Sequence, residues 1–287
     1  MLRSLPFLLK TSRPGLWFPT VWLYLLPLAG APLPLRSAAF WVGLVAVTFP
    51  LNLVVYGWND RVDRETDRLN PRKDSWLFGA RGTDAQLDRL PAAMAAIGLP
   101  VLAVLTALSG PAVLGVGAAI AAFCWAYNHP TAGLRGRPPG DLLCQAGYLL
   151  VVALSCQINA APAPALGSWL YLGLFCAQAQ LIGEVMDITP DRAAGRATTA
   201  TVLGSRRARS LIIAVVSAEI AVVAFHFRDP VFAGGLALLL AWLILDRLVL
   251  FPQGDYQPWQ MKALGVLGNV AAVGSIVYVQ ATGLFAG

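Results

Sequence analysis

Long, nearly uninterrupted apolar stretches dominate the pattern of hydrophobic and polar positions in this chain. Nine can be marked, at about 14–32, 38–58, 91–109, 111–128, 141–160, 168–186, 210–227, 230–250 and 263–282. Each is close to the roughly 20 residues a helix needs to cross a bilayer core. Turn chemistry separates them: Ser109-Gly110-Pro111, Ala160-Ala161-Pro162-Ala163-Pro164 and Arg228-Asp229-Pro230. Proline lacks an N–H and glycine is conformationally loose, so such clusters end helices. The pattern predicts an all-α, polytopic membrane helical bundle of about nine transmembrane helices, forming one domain over residues 1–287.

Composition sharpens this reading. Of the 287 residues, 57% are hydrophobic and only 13% charged. Soluble domains carry roughly 25% charged residues, so most of this surface is expected to meet the lipid bilayer. Lys10 and Arg13 interrupt the first apolar run before any cleavage site, so the first span is expected to stay in the protein. The four cysteines lie in apolar segments without metal-ligand spacing. The net charge of +6 would suit nucleic acid if it were spread over one soluble face. Instead, 19 of the 21 Lys and Arg fall on the N-terminal segment and the connections after even-numbered spans, leaving Arg36 and Arg228 for the other side. The positive-inside rule then places the N-terminus in the cytoplasm and, with nine spans, the C-terminus on the opposite side, as expected in a bacterial inner membrane. No nucleic acid and no obligate protein partner is implied.

Most of the carboxylates gather on the same side as the basic residues, which the orientation rule does not require. The first cluster, Asn59 to Lys73, directly follows the second span. Continuing that helix would put Asn59, Asp63 and Asp67 on one face, drifting only about 40° per step. The second cluster ends the sixth span, where Glu184, Asp187 and Asp191 share a face. Pro190 is expected to bend or fray the turn carrying Asp191. Two helix ends presenting oxygen ligands on one membrane side suit a hard cation. Mg²⁺ typically takes one or two carboxylates together with substrate phosphates.

These residues resemble a known family. Asn59-Asp60-x-x-Asp63-x-x-x-Asp67 is similar to the first aspartate-rich motif of the UbiA superfamily of intramembrane prenyltransferases. Asp187-x-x-x-Asp191-Arg192, running on to Gly195-Arg196, is similar to the second. Tyr127-Asn128-His129-Pro130 with Leu134-Arg135-Gly136-Arg137-Pro138 resembles the connection after the fourth helix, and Ser12-Arg13-Pro14 the entry to the first. The resemblance implies a bundle around a central cavity under a cytoplasmic cap. It implies Mg²⁺-dependent transfer of an isoprenoid from a prenyl diphosphate to a lipophilic acceptor such as a quinone precursor, porphyrinoid or carotenoid. Asn59, Asp63, Asp67, Asp187 and Asp191 would hold the metal. Asp63, Asp67, Asp187, Asp191 and Tyr127 would carry catalysis. Asn59, Asp60, Arg64, Lys73, Arg135, Arg137 and Arg192 would bind substrate. Many members have a lysine where this chain has Thr131, so Arg135 or Arg137 is expected to supply the missing cation.

Chemically, ionisation of an allylic diphosphate needs stabilised negative charge and a dry pocket. Arg72 and Arg196 are further candidates for that load, and Tyr127 and Trp58 lie near the acidic clusters in the chain. Asn52, Glu219 and His226 are polar residues inside spans, and Asn52 is expected to line the cavity. A second class stays open, a cation-coupled transporter with a cytoplasmic acidic site. That class would place acids near the bilayer midplane and show interrupted repeats.

Overall fold

The computed structural model describes residues 5–251 and 256–286. Arg3, counted above among the basic residues, lies outside them. The described chain is helical, with a single antiparallel bridge between Ser75 and Gly79 and no sheet. A short helix α1 (Leu5–Thr11) precedes α2 (Phe18–Leu25). Then α3 (Ala38–Val47) and α4 (Phe49–Val62) form an almost continuous rod. Pro50 opens α4 and Thr48 breaks the rod. Asn52 mends the break, its amide donating to the carbonyls of Val47 and Thr48 at 2.9 and 2.8 Å and to Thr20 Oγ1 at 3.0 Å. Asn52 is therefore a packing residue and does not line the cavity, contrary to the sequence expectation. Its amide gives the buried carbonyls at the break a side-chain donor.

Helix α5 (Arg64–Leu69) carries the first acidic cluster onward. Helix α6 (Asp84–Ser109) starts at a reciprocal cap between Thr83 and Gln86 and ends at Gly110, where φ is +91°. It connects to α7 (Ala112–Asn128). A short α8 (Gly140–Leu143) leads through a tighter turn into α9 (Leu150–Asn159). The 28-residue α10 (Leu166–Ala193) is followed by α11 (Thr199–Leu203) and α12 (Ser205–Ala221). Asp229 caps α13 (Pro230–Leu245), accepting the Phe232 N–H at 2.8 Å, and α14 (Pro258–Thr282) completes the bundle.

All nine apolar stretches fall on helical segments. Among the described residues, six helical segments are long and apolar enough to cross a membrane, and Phe18–Leu28 and Ala112–Asn128 are shorter apolar ones. The outward faces stay apolar: Leu99, Leu108, Leu238, Val266 and Val277 are all exposed. A soluble protein rarely leaves so contiguous an apolar surface uncovered, whereas lipid is a suitable solvent for it. The buried core forms two main clusters. One surrounds Trp22, Tyr24, Phe40, Val151 and Phe285, and the other lies between α10 and α12 around Leu181, Ile188 and Val216. The connections after α4, α7 and α10 meet at one end of the bundle, which is consequently the charged end.

Candidate active site at the charged end of the bundle

The first motif is built by an interrupted helix. α4 ends at Val62, and Asp63 stands between α4 and α5 with φ −90° and ψ 14°. The expected uninterrupted helix through Asp67 is thus corrected to two segments with a step. The ladder nevertheless crosses the step: the Asp63 N–H donates to the Asn59 carbonyl and the Asp67 N–H to the Asp63 carbonyl, both at 2.8 Å. Register is kept, so Asn59, Asp63 and Asp67 still point to one side. The Asn59 amide donates to Asp63 Oδ2 at 2.9 Å and fixes that carboxylate.

The second motif ends α10. The fraying expected at Pro190 does not occur, since α10 runs unbroken to Ala193. Only one ladder bond is lost to the proline, and the terminus is closed from outside. The Ala194 N–H donates to the Pro190 carbonyl at 3.0 Å and the Arg196 N–H to the Asp191 carbonyl at 2.8 Å. Gly195, at φ +69°, reverses the chain in the left-handed conformation glycine adopts without strain. That reversal brings Arg196 back toward the motif it follows.

The tertiary fold joins the two motifs through their basic neighbours. Arg196 ion-pairs with Asp63 of the first motif and, at 3.4 Å, with Asp191 of the second. Arg135, from the connection after α7, also pairs with Asp63. Asp187 pairs with Arg72 and accepts from the Asn70 amide at 2.9 Å, both from the connection that follows the first motif. Lys73 is buried between Asp67 at 2.7 Å and Asp60 at 2.6 Å. Arg13 reaches Asp60 at 2.8 Å while its guanidinium lies 4.2 Å from the centre of the Tyr56 ring.

Of the residues singled out from sequence, Asn59, Asp63, Asp67, Lys73, Tyr127, Arg135, Asp187 and Asp191 all line one cavity. Asp60 sits one layer beneath, buried and outside the lining, where it holds Arg13 and Lys73. Arg64, Arg137 and Arg192 are not brought there. Arg64 pairs with Asp88 and Asp84 on the surface, Arg137 donates to the Thr131 carbonyl at 3.1 Å, and Arg192 is exposed. Thr131 is exposed too. Sequence reasoning missed Asn70, Asn128 and Gln180. The Asn59 amide lies 3.4 Å from Asn128 Oδ1, and the Gln180 amide donates to the Tyr127 hydroxyl at 3.2 Å and to Glu184 at 2.9 Å. No periodicity signals these, because each acts across elements distant in sequence.

Burial governs the electrostatics. It pushes the Asp191 carboxyl up to about 7, with Arg196 pulling it down and the nearby Asp187 pushing it further up. Burial also raises Asp67 against the pull of Lys73. The Arg135 guanidinium is lowered to about 10, first by burial and then by Arg196 beside it. Cations and carboxylates thus alternate at close quarters, each group needing its neighbour. Among the described residues no three Asp, Glu, His or Cys side chains form a ready-made metal cage. The donors present are hard oxygens, and Mg²⁺ characteristically completes its octahedron with phosphate and water instead of with an all-protein cage.

Beneath this polar mouth the cavity extends into the bundle with a volume of about 1120 Å³. Its walls include Leu23, Val55, Phe123, Phe175, Leu239 and Val270. An apolar chamber with a charged mouth, set among apolar helices long enough to cross a membrane, has the shape and polarity that suit an amphiphile with an anionic head. The comparisons agree. The chain matches the UbiA prenyltransferase family over residues 16–267. It therefore belongs to that family and is a prenyltransferase, which sets the transporter reading aside. It is 30% identical over 251 residues to a lycopene elongase/hydratase of Corynebacterium glutamicum, covering 83% of each chain. It is 29% identical over 289 residues to a lycopene elongase/hydratase of Haloarcula japonica, covering 93% of this chain and 90% of that one. Its fold is that of a UbiA homologue from Archaeoglobus fulgidus solved with GPP and Mg²⁺. The two superpose with a TM-score of 0.69 at 16% identity, over 94% of this chain and 97% of the other.

Proposed function

We propose that this prenyltransferase moves an allylic isoprenoid from its diphosphate to a linear polyene of the lycopene type, with Mg²⁺ at the charged mouth. One observation carries the reading of the mouth: the two aspartate motifs are cross-linked by Arg196 and Arg72 directly over an apolar cavity. The acceptor class is supported by relatives named lycopene elongase/hydratase that align along most of this chain. Asn59, Asp63, Asp67, Asp187 and Asp191 are the residues that would hold the metal, which when bound neutralises charge on the departing diphosphate. Arg72, Lys73, Arg135 and Arg196 donate to phosphate oxygens, and Asp60 positions Lys73. As the allylic C–O bond breaks, its electron pair leaves with the diphosphate. These fixed donors stabilise the growing charge without reorganising. The allylic cation then takes the π pair of the acceptor's terminal double bond, in a chamber that excludes water and offers aromatic faces. The carbocation this leaves on the acceptor is discharged by loss of a proton to a phosphate oxygen of the departed diphosphate. Tyr127, held by Gln180, faces this region. Arg64, Arg137 and Arg192 are left out of the site.

The charged end is the cytoplasmic cap in this reading. Six long apolar helices, two shorter ones and α10 make up nine spans, with the N-terminus inside and the C-terminus on the other face of a bacterial inner membrane. The 19-to-2 division of basic residues supports that orientation. The test uses the full chain in detergent with Mg²⁺, labelled allylic diphosphates, and a panel containing lycopene, an aromatic quinone precursor and a porphyrinoid. Label is expected in the polyene fraction. Label only in an aromatic or porphyrinoid product overturns the acceptor assignment.

A further inference from the structure

Below its charged mouth the cavity is largely apolar, yet Glu219, Gln178 and Tyr171 line it. Glu219 on α12 has no exposed surface and lines the cavity. With the Gln178 amide turned nitrogen-inward, that amide donates to both Glu219 carboxyl oxygens, at 3.0 and 3.2 Å. No basic side chain ion-pairs with Glu219 among the described residues. Tyr171, one helical face from Gln178 on α10, lines the same space, and its hydroxyl has no hydrogen-bond partner among the described residues. Behind Tyr171 lies an aromatic cluster, of which Phe232 also lines the cavity. The Tyr171 ring stacks on Phe285 at 4.3 Å, with Phe232 and Phe227 edge-on to Phe285 at 5.3 and 4.9 Å.

A simpler role, gluing α10 to α12, accounts for one hydrogen-bonded pair but leaves two things unexplained. Helix association does not require an ionisable group, which inside a membrane is costly and characteristically functional. It also leaves the hydroxyl of Tyr171, a residue that lines the cavity, without a hydrogen-bond partner among the described residues. An apolar pocket with a few convergent polar groups is the ordinary architecture of a site that orients a ligand through one polar function. Depth identifies that function. Along α10, Gln178 is nine residues and Tyr171 sixteen residues from Asp187, or about 13 and 24 Å at the helical rise of 1.5 Å. A diphosphate held at the mouth cannot reach the trio, so the polar function belongs to the far end of an extended chain.

We infer that Glu219, Gln178 and Tyr171 form a subsite for a hydroxyl group at the distal end of a linear polyene whose other end reacts at the charged mouth. The inference rests on the polyene-acceptor reading and deepens it. A hydroxyl is matched because it donates and accepts at once: the Glu219 carboxyl oxygens accept its proton, and the Tyr171 hydroxyl donates to its oxygen. A chain ending in a bare hydrocarbon leaves all three groups without that partner, the situation in which polar sites discriminate most strongly.

The experiment measures binding and transfer side by side on the full-length protein in detergent. The ligands are linear polyenes of increasing length, lycopene among them, each with and without one terminal hydroxyl. Binding is read from quenching of tryptophan fluorescence, and transfer from labelled allylic diphosphate. The wild type is expected to prefer the hydroxylated member by about 10-fold at the length that reaches the trio, the discrimination worth one strong hydrogen bond. Glu219→Leu and Tyr171→Phe are expected to bring that preference to about twofold or less. Glu219→Gln, which keeps the shape, covers the case in which the leucine variant fails to fold, and should also lose most of the preference. A wild type without hydroxyl preference at any length, or variants that keep it, overturns the subsite, as does failure of every polyene to bind. Preference in binding with no label transferred to any polyene leaves the subsite standing and rejects the acceptor reading instead.

Discussion

Replacing Arg196 with alanine removes a side chain that contacts both aspartate motifs. In the structure it donates to Asp63, to Thr66 Oγ1 at 3.2 Å, and pairs with Asp191 at 3.4 Å. Under the proposed chemistry it also donates to a diphosphate whose charge grows in the transition state. A hydrogen bond to a charged group contributes about 1.5–3 kcal/mol, and each 1.4 kcal/mol is a factor of ten. Arg196→Ala should therefore lower kcat/KM for the prenyl diphosphate by about 10- to 150-fold. Arg135→Ala should lower it by about 10-fold or more on the same reasoning. Because both arginines share Asp63, the double variant should fall short of the product of the two losses, the coupling expected of residues with a common partner. The assay is initial-rate transfer at limiting diphosphate and saturating acceptor, with Arg64→Ala as the control. That arginine pairs with Asp84 and Asp88 on the surface, so its loss should be within about twofold of wild type, in line with the small worth of exposed pairs. Wild-type kcat/KM in Arg196→Ala, or a larger loss in Arg64→Ala, would refute the assignment of the mouth.

Other expectations can be checked with the same preparation. Asp63→Ala and Asp187→Ala should abolish transfer at saturating Mg²⁺ while the detergent-solubilised protein keeps its elution profile and helicity; near-normal turnover in either rejects the two-motif site. Lys73→Met should be the most destabilising substitution among the basic residues at the mouth, because it strands Asp67, and removing one partner of a buried pair costs about 3–5 kcal/mol. A thermal unfolding midpoint equal to wild type would remove Lys73 from that role. A topology reporter fused after Gly287 should read as non-cytoplasmic, and a cytoplasmic signal there rejects the nine-span arrangement. In each case the wild-type protein measured in parallel sets the reference.

The membrane class, the helical content and the two acidic motifs were legible from the chain alone. Lipid demands long apolar stretches and internally satisfied backbone, and such stretches can be read without knowing what they touch. The spacing of Asn59, Asp63 and Asp67 survived the break at Asp63, because the backbone ladder carries its register across a single distorted residue. Local rules failed where a distant group decided the outcome. Pro190 was expected to fray α10, but the chain reversal at Gly195 closes the helix end. Asn52 looked like a cavity residue, and a helix break about one turn away claimed its amide. Charge alone could not sort the arginines. Arg64 and Arg196 both flank an aspartate motif, yet one faces Asp88 at the surface and the other lies between Asp63 and Asp191. The reason is geometric. A guanidinium at the end of a flexible stem takes its partner from whatever the fold brings within reach, and only the packing of α4, α10 and their connections fixes that. The same holds for Glu219, Gln178 and Tyr171. In the sequence they are three scattered polar residues in apolar helices, and the packing of α10 against α12 brings them to the lining of one cavity.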